Sequence, residues 1–423
     1  MALEAGLDVE LPVTECYSDK LVEAVNKGLV SEAVLNEAVA RHLRSKYKKS
    51  LLTDPQTVDP NKVAKYFETP EQRKLAREAA RESIVLLKNE DEFLPLEKEI
   101  DSIAIIGPSA DDTRNLLGDY AYSVHMESEE DTIPVTTIRE GIKSKVSDNT
   151  RVNYSEGCGI RDKSKEGFDS AVEAARESDI AVLAVGGKSG LGLVTPETQK
   201  EEYPHTTGEG SDRTDLRLPG VQQDLIKAIS ETGTPIVAVL INGRPLATPW
   251  LQENVSAIVE AWLPGEEGGS AVADVLFGSH NPSGKLPVTI PQNVGQTPLH
   301  YRRKRLSKNR HYVFTANEPL YPFGFGLSYT DFEYSNLEVN PTKAPTATDI
   351  HISCHLTNTG EVSGTEVVQL YIQDEYASMT RPERELKGFK RVELNPGEEK
   401  VVTFSLPTDL LAFYDKDMNL VVE

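Results

Sequence analysis

Three short runs dominated by apolar residues constrain the fold of this chain more than any other feature of its sequence. They are Ile180–Val185, Ile236–Ile241 and Ala257–Trp262, and a glycine follows each within three residues. Stretches with helical periodicity lie between and around them, at 168–177, 219–229 and 269–276. Because such runs alternate with helices, we predict a mainly parallel sheet covered on both faces, an α/β sandwich. The loops after the carboxyl ends of its strands are where we expect chemistry.

The segment before this region contains two predicted helices. Ser31 can cap an amphipathic helix over 31–47, and a second helix begins at Thr69-Pro70, where a capping box is followed by proline at the first helical position. The stretch 50–68 is polar, contains several prolines and has no sustained periodicity, which is typical of a linker. Further apolar runs at 83–88 and 103–106 are predicted strands of the sheet.

The last 80 or so residues change to a different pattern. Apolar residues alternate at Ile350, Ile352, Cys354 and Leu356, and again near Val368 and Val402, with turn signals between these runs. Short alternating strands of this spacing predict a β-sandwich of immunoglobulin or fibronectin III type. We expect this sandwich to be one strand short of closure.

Composition limits the classes of partner. The 423 residues carry 67 acidic against 45 basic side chains, a net charge of −22, which makes binding to nucleic acid or to an anionic membrane surface unfavourable. The first residues have neither the basic nor the apolar part of a signal peptide. The three cysteines, Cys16, Cys158 and Cys354, lack metal-ligand spacing, so we expect each to be a small buried apolar residue.

The longest predicted loop, about 187–217, is the main candidate for function. Its glycines, among them Gly186, Gly187 and Gly190, follow a strand and suggest a dinucleotide site, but the spacing is not Gly-x-Gly-x-x-Gly opening a helix. A nucleotide-dependent enzyme is therefore the weakest interpretation. Loops of this length are usually functional or disordered.

Glu209 lies between Gly208 and Gly210 on this loop. Flanking glycines free the backbone to carry a carboxyl into a cleft, where partial burial favours the protonated acid and suits it to proton donation. The alternative is an ordinary solvated loop glutamate, which the residues alone favour. Asp212 and Arg213 are predicted to form a structural ion pair or a cap near the following helix.

Several motifs together resemble the second half of family 3 glycoside hydrolases, the β-glucosidase and β-xylosidase group. The matching stretches span essentially the whole chain, in the family's order: AGLDVELP at 5–12, LAREAARESIVLLKN at 75–89, GEGSDR at 208–213 with LPG at 218–220, NGRP at 242–245, PGEEGG at 264–269, NPSGKLP at 281–287 and YPFGFGLSY at 321–329.

The resemblance implies a retaining β-glycosidase in which Glu209 is the acid/base residue. In that family a TIM-like barrel supplies the nucleophilic aspartate and most contacts to the nonreducing sugar. Residues 1–50 resemble only the tail of this barrel, so we expect the nucleophile and the Lys-His sugar-binding motif to be missing, and the isolated chain to be weakly active or inactive. The implied mechanism uses neither a metal nor an organic cofactor.

The expected fold class is therefore an α/β sandwich with a mainly parallel sheet, followed by a fibronectin III-like β-sandwich and preceded by the helical tail of a truncated barrel. The expected domains are a barrel tail at 1–50, a linker at 51–75, the α/β sandwich at 76–300, a second linker at 301–334 and the fibronectin III-like domain, incomplete at its C-terminus, at 335–423.

The expected partners are a β-linked oligosaccharide or aryl glycoside and either a separate barrel half or further copies of the chain. Neither nucleic acid nor a membrane is expected as a partner, and the sequence leaves the localisation unknown, cytoplasmic by default. The alternative function is a non-catalytic carbohydrate-binding or scaffold remnant of such an enzyme.

Overall fold

The computed structural model describes residues 2–55, 57, 59–125, 133–190, 205–304 and 311–423. They divide into two compact units, residues 1–69 and residues 70–423, which are described separately. None of the described helices is long and apolar enough to cross a membrane.

The first unit consists of two helices and a short 3-10 turn. The helices are α1 (Asp19–Asn26) and α2 (Glu32–Lys48), and the side chain of Ser31 accepts a hydrogen bond from the N–H of Val34, which confirms the predicted cap. Arg41 of α2 binds both carboxylate oxygens of Asp8, at 2.7 and 2.8 Å. Apolar side chains remain exposed on α2, among them Val39 and Leu43.

The second unit begins with a six-stranded sheet, as the apolar runs predict. Its spatial order is β1-β6-β5-β4-β2-β3, and all neighbouring pairs are parallel except β1 with β6. The edge strand β3 lacks a continuous apolar run and was not predicted, because only one of its five residues is buried. The strands are β1 (Val85–Asn89), β2 (Ser102–Ile106), β3 (Arg151–Ser155), β4 (Ile180–Gly186), β5 (Ile236–Ile241) and β6 (Ala257–Trp262).

Helices cover both faces of this sheet. Apolar residues of α3, α5 and α9 pack with one set of strand side chains, and those of α6, α7 and α8 pack with the alternate set. This is the expected α/β sandwich. The helices are α3 (Pro70–Ser83), α4 (Tyr122–His125), α5 (Ile138–Lys143), α6 (Phe168–Arg176), α7 (Gln222–Ser230), α8 (Pro249–Asn254) and α9 (Gly268–Leu276).

One predicted helix start was wrong. Helix α7 begins at Gln222 and not at Pro219, because Gly220 takes a left-handed conformation, with φ of +61°, that ends the preceding turn. The buried side chain of Gln222 then binds both the N–H and the carbonyl of Gly186, each at 2.8 Å. It therefore fixes the carboxyl end of β4, from which the long loop departs.

A small β-sandwich follows, as the alternating pattern predicts. Strands β7, β8 and β11 form one antiparallel sheet, and β9 and β10 form another. The two sheets share a core of Leu356, Val368, Leu394 and Val402. The strands are β7 (Phe332–Asn340), β8 (Asp349–Asn358), β9 (Gly364–Ile372), β10 (Glu385–Leu394), β11 (Glu399–Pro407) and a short pair, β12 (Phe413–Tyr414) and β13 (Leu420–Val421). The domain limits proposed from the sequence stay predictions.

The three cysteines differ in exposure: the expectation that each is buried holds for Cys158, is wrong for Cys16, which is exposed, and holds only in part for Cys354, which is half-buried. Cys158 is buried, and burial raises the pKa of its thiol to about 12. Because the thiolate is the reactive form, we expect a disulfide reagent at pH 8 to label Cys16 rapidly and Cys158 only after unfolding. A Cys16→Ser variant is the control and should lack the rapid phase. Rapid labelling of Cys158 in the folded chain would contradict its burial.

Candidate active site

The loops that follow three neighbouring strands converge at one edge of the sheet. Strands β5, β4 and β2 are adjacent in the sheet, and their carboxyl ends lead into loops that carry Arg244, Glu209 and Asp119. Ligand sites in open α/β sheets form at this edge. The sequence singled out the loops after β4, β5 and β6, but it gave no reason to examine the loop after β2.

The segment that carries Glu209 is anchored to the end of β4 by backbone pairing. The N–H of Thr206 donates to the carbonyl of Lys188 at 2.8 Å, and the N–H of Gly190 donates to the carbonyl of Thr207 at 3.0 Å. Residues 191–204, which include Gly192 of the predicted loop, lie outside the described residues. Both described ends of the long loop therefore lie side by side at the edge of the sheet.

Close backbone approach accounts for the glycines in this region. Gly208 has φ of +133°, and a Cβ atom there would lie 1.8 Å from the carbonyl oxygen of Gly190. A Cβ atom at Gly190 would lie 2.7 Å from Nδ1 of His205. Neither position can accept a larger residue without a shift of the loop. Packing of the two loop ends thus explains Gly190, one of the glycines that suggested a dinucleotide site.

Glu209 lies at an exposed tip of this segment. Its N–H donates to Oδ2 of Asp119 at 2.8 Å, and the hydroxyl of Tyr120 donates to its Oε2 at 3.0 Å. The hydrogen bond to Glu209 and the charge of that carboxylate raise the pKa of Tyr120 above its ordinary value. We expected Glu209 to be partly buried. The described residues around it leave it exposed.

Asp119 is itself fixed by a buried serine. The hydroxyl of Ser189 donates to Oδ1 of Asp119 at 3.1 Å, and the N–H of Asp119 donates back to the Ser189 hydroxyl at 3.1 Å. The backbone of Glu209 is therefore connected through Asp119 to the end of β4. Sequence reasoning missed Asp119 and Tyr120 because they lie about 90 residues before Glu209, with no local pattern that links them.

Asp212 and Arg213 do not form the expected ion pair with each other. Asp212 pairs with Arg244 at 2.9 Å, whereas Arg213 donates to the carbonyls of Asp215 and Arg217, at 2.9 and 2.6 Å. Arg213 thus closes its own turn, and burial lowers the pKa of its guanidinium. Arg244 reaches Asp212 because β4 and β5 are adjacent in the sheet.

A second carboxyl lies beneath this edge, within strand β6. Glu260 is fully buried, and it accepts hydrogen bonds from the Asn242 side chain at 2.9 Å and from the N–H of Trp262 at 3.0 Å. Burial raises its pKa to about 8, although both hydrogen bonds oppose that shift. At neutral pH the group is therefore mainly a neutral acid that supports Asn242 and Trp262. Apolar residues dominate the run that contains Glu260, so no local pattern in the sequence indicates this role.

At this edge Glu209 offers an exposed carboxyl that can exchange a proton with a bound molecule. Its carboxyl is accessible, held in place through its backbone, and in contact with a tyrosine hydroxyl. In the part of the chain that the structure describes, no group of three or more His, Cys, Asp or Glu side chains is arranged to hold a metal ion.

Comparison with known families and proteins identifies the relationship. The profile described as "Glycosyl hydrolase family 3 C-terminal domain" matches residues 84–329, more than half of the chain, and a "Fibronectin type III-like domain" profile matches residues 366–423.

Individual relatives are similar in sequence to this chain over its whole length. A β-xylosidase of Formosa agariphila is 39% identical over 436 residues, and a periplasmic β-glucosidase of Salmonella typhimurium is 37% identical. The match covers 100% of this chain and 57% of each relative, so the chain spans little more than half of their length. A solved β-glucosidase structure from Erythrobacter marinus is 37% identical and superposes with a TM-score of 0.85, over 100% of this chain and 56% of that one.

The fold, the order of its two domains and the full-length similarity together show that the chain belongs to glycoside hydrolase family 3 and corresponds to the C-terminal half of its β-glucosidases and β-xylosidases.

Proposed function

We propose that this chain supplies the general acid/base of a retaining β-glycosidase, and that the residue is Glu209. The observation that carries the proposal is the position of Glu209. It lies within the segment matched to the family's C-terminal domain, on a loop at the carboxyl edge of the sheet, with its backbone bound to Asp119 and its carboxyl to Tyr120. An accessible carboxyl on a fixed backbone suits a group that must meet a substrate atom.

The proposed reaction has two steps. A barrel aspartate attacks the anomeric carbon while the protonated Glu209 gives its proton to the departing glycosidic oxygen, which leaves as an alcohol. The Glu209 carboxylate then takes a proton from water, the water oxygen bonds to the anomeric carbon, and the aspartate is released. In retaining enzymes the two carboxyl groups lie about 5 to 5.5 Å apart, so the aspartate must approach the exposed tip of the Glu209 loop.

The proposed substrates are glycosides with a terminal β-linked glucose or xylose. This choice rests on the names of the relatives, which are β-glucosidases and β-xylosidases. The barrel makes most contacts to the nonreducing sugar in the family that the chain resembles, so we expect the preference for glucose or xylose to depend mainly on the barrel.

A complementation experiment tests the proposal. We expect the chain alone to release no 4-nitrophenol above background from 4-nitrophenyl β-glucoside or β-xyloside, because a proton donor without a nucleophile cannot form the covalent intermediate. The full chain fused to the barrel portion of a matched β-glucosidase should hydrolyse at least one of them. A fusion whose barrel lacks the nucleophilic aspartate is the matched control and should be inactive.

Two results would count against the proposal. If the chain alone hydrolyses these substrates, and adding the barrel does not change the rate, then residues other than the proposed pair carry out the reaction. A folded fusion that binds glucose, cellobiose or xylobiose in calorimetry without any turnover would favour a non-catalytic carbohydrate-binding protein.

A further inference from the structure

One arginine from the loop after β5 contacts the Glu209 loop on both sides of Glu209. Nε of Arg244 donates to the hydroxyl of Thr207 at 3.0 Å, and Nη2 donates to the carbonyl of Ser211 at 2.6 Å. Nη1 donates to Oδ1 of Asp212 at 2.9 Å. The three acceptors lie two residues before, two residues after and three residues after Glu209. A single side chain thus spans the segment that carries the carboxyl.

Arginine is suited to this task for a physical reason. Its guanidinium is planar and presents its donors in a fixed fork, so three acceptors bound to it are also fixed relative to one another. A lysine has one compact charge on a flexible stem and cannot reproduce this geometry. The side chain of Arg244 is 35% exposed and that of Thr207 is buried, so at least one of the three hydrogen bonds is shielded from competing water.

The base of Arg244 is also rigid. Two residues earlier, Asn242 donates its backbone N–H to the carbonyl of Trp262 at 2.9 Å and its side-chain amide to buried Glu260. Asn242 and Glu260 are 2% and 0% exposed. The guanidinium therefore projects from a backbone that is held by the core of the sheet.

We propose that Arg244 is a positioning residue that holds the Glu209 carboxyl in its working place. The inference rests on the proposed function of Glu209, through which Arg244 acts. Asp119 fixes the backbone N–H of Glu209 from one direction, and Arg244 fixes the residues on either side of it from another. Without Arg244 the tip keeps the bond to Asp119 but loses its second support, so the carboxyl spends less time where it can protonate a leaving oxygen.

The kinetic test is a double-mutant cycle in the barrel fusion. We expect Arg244→Gln to lower kcat by about 10- to 100-fold, the range that a misplacement of about 1 Å can produce, and to change KM by less than about threefold. In a Glu209→Gln background the same substitution should cost less than about threefold, because the group it positions is already gone. Arg244→Lys should recover only part of the loss.

Arg217→Lys is the matched control. Arg217 lies on the same loop and is 74% exposed, and its side chain binds only Asp215 among the described residues. We expect this variant to keep the kcat of the parent fusion.

The chain alone offers a second measurement that does not depend on activity. In Arg244→Gln the backbone amides of 206–209 should exchange with deuterium about tenfold faster or more, since opening of the segment becomes easier, whereas Arg217→Lys should leave them unchanged.

These readouts separate the possible failures. Equal losses of kcat from Arg244→Gln in the parent and in the Glu209→Gln background would overturn the positioning role while leaving the proposed function intact. Unchanged amide exchange in the chain would overturn it as well. If Glu209→Gln has no effect in an active fusion, the proposed function fails instead.

Discussion

Glu209→Gln in the barrel fusion is expected to reduce hydrolysis of cellobiose or xylobiose by roughly 10²- to 10⁴-fold, the usual contribution of general acid/base catalysis. A sugar alkoxide is a poor leaving group and needs the proton that Glu209 donates. A dinitrophenolate leaves without protonation, so the first step with a 2,4-dinitrophenyl glycoside should be nearly unaffected. Steady-state kinetics on substrates of graded leaving-group pKa would measure the difference.

The second step gives an independent readout. In Glu209→Ala the covalent intermediate should accumulate on activated substrates, because no base activates water. Azide needs no base, so it should restore turnover and yield the β-glycosyl azide. Glu231→Gln, an exposed carboxyl after α7, is the control and should behave as the parent. Equal losses for activated and unactivated substrates, without azide rescue, would show that Glu209 does not transfer the proton.

The stability of the α/β domain is expected to fall with rising pH because of Glu260. Its pKa lies near 8 in the folded chain against an ordinary value of 4.5, so between these values the folded state keeps a proton that the unfolded state has lost. Stability then decreases by about 1.4 kcal/mol per pH unit, up to about 5 kcal/mol in total. The penalty is absent below pH 4.5 and constant above pH 8.

Glu260→Gln removes this dependence while retaining an oxygen for Asn242 and the N–H of Trp262. The free energy of unfolding of the variant, relative to the parent, should therefore rise from pH 5 to pH 8 and then level off. The two tryptophans of the chain, Trp250 and Trp262, both lie in this domain, so fluorescence during urea unfolding reports on it. If the free energy of unfolding of the variant, relative to the parent, stays constant from pH 5 to pH 8, Glu260 is ionised in the folded chain.

Much of the fold follows from patterns within short windows. The apolar runs gave the central strands β4, β5 and β6, and the alternating stretches gave the strands of the β-sandwich. These patterns are local because each strand has to bury its own side chains. Strand β3 and helix α5 were missed since the first is partly exposed and the second spans only six residues.

The candidate site was predictable only in part. Glu209 was found through its glycine neighbours and the family resemblance. Tyr120, Asp119 and Arg244 were not found, because each contacts the Glu209 loop across 35 to 90 residues of sequence through the order of strands in the sheet. For the same reason Asp212 pairs with Arg244 and not with Arg213, for which an ion pair or a cap was expected.

The amino-acid sequence by itself determined the central strands of the sheet, most of its longer helices, the order of the two domains and the family to which the chain belongs. These depend on residue types at short, regular spacings. Tertiary structure decided which side chains hold the Glu209 loop and which carboxyl lies in the core. Those contacts arise from the adjacency of β6, β5, β4 and β2 in the sheet, and no short-range pattern in the chain encodes that adjacency.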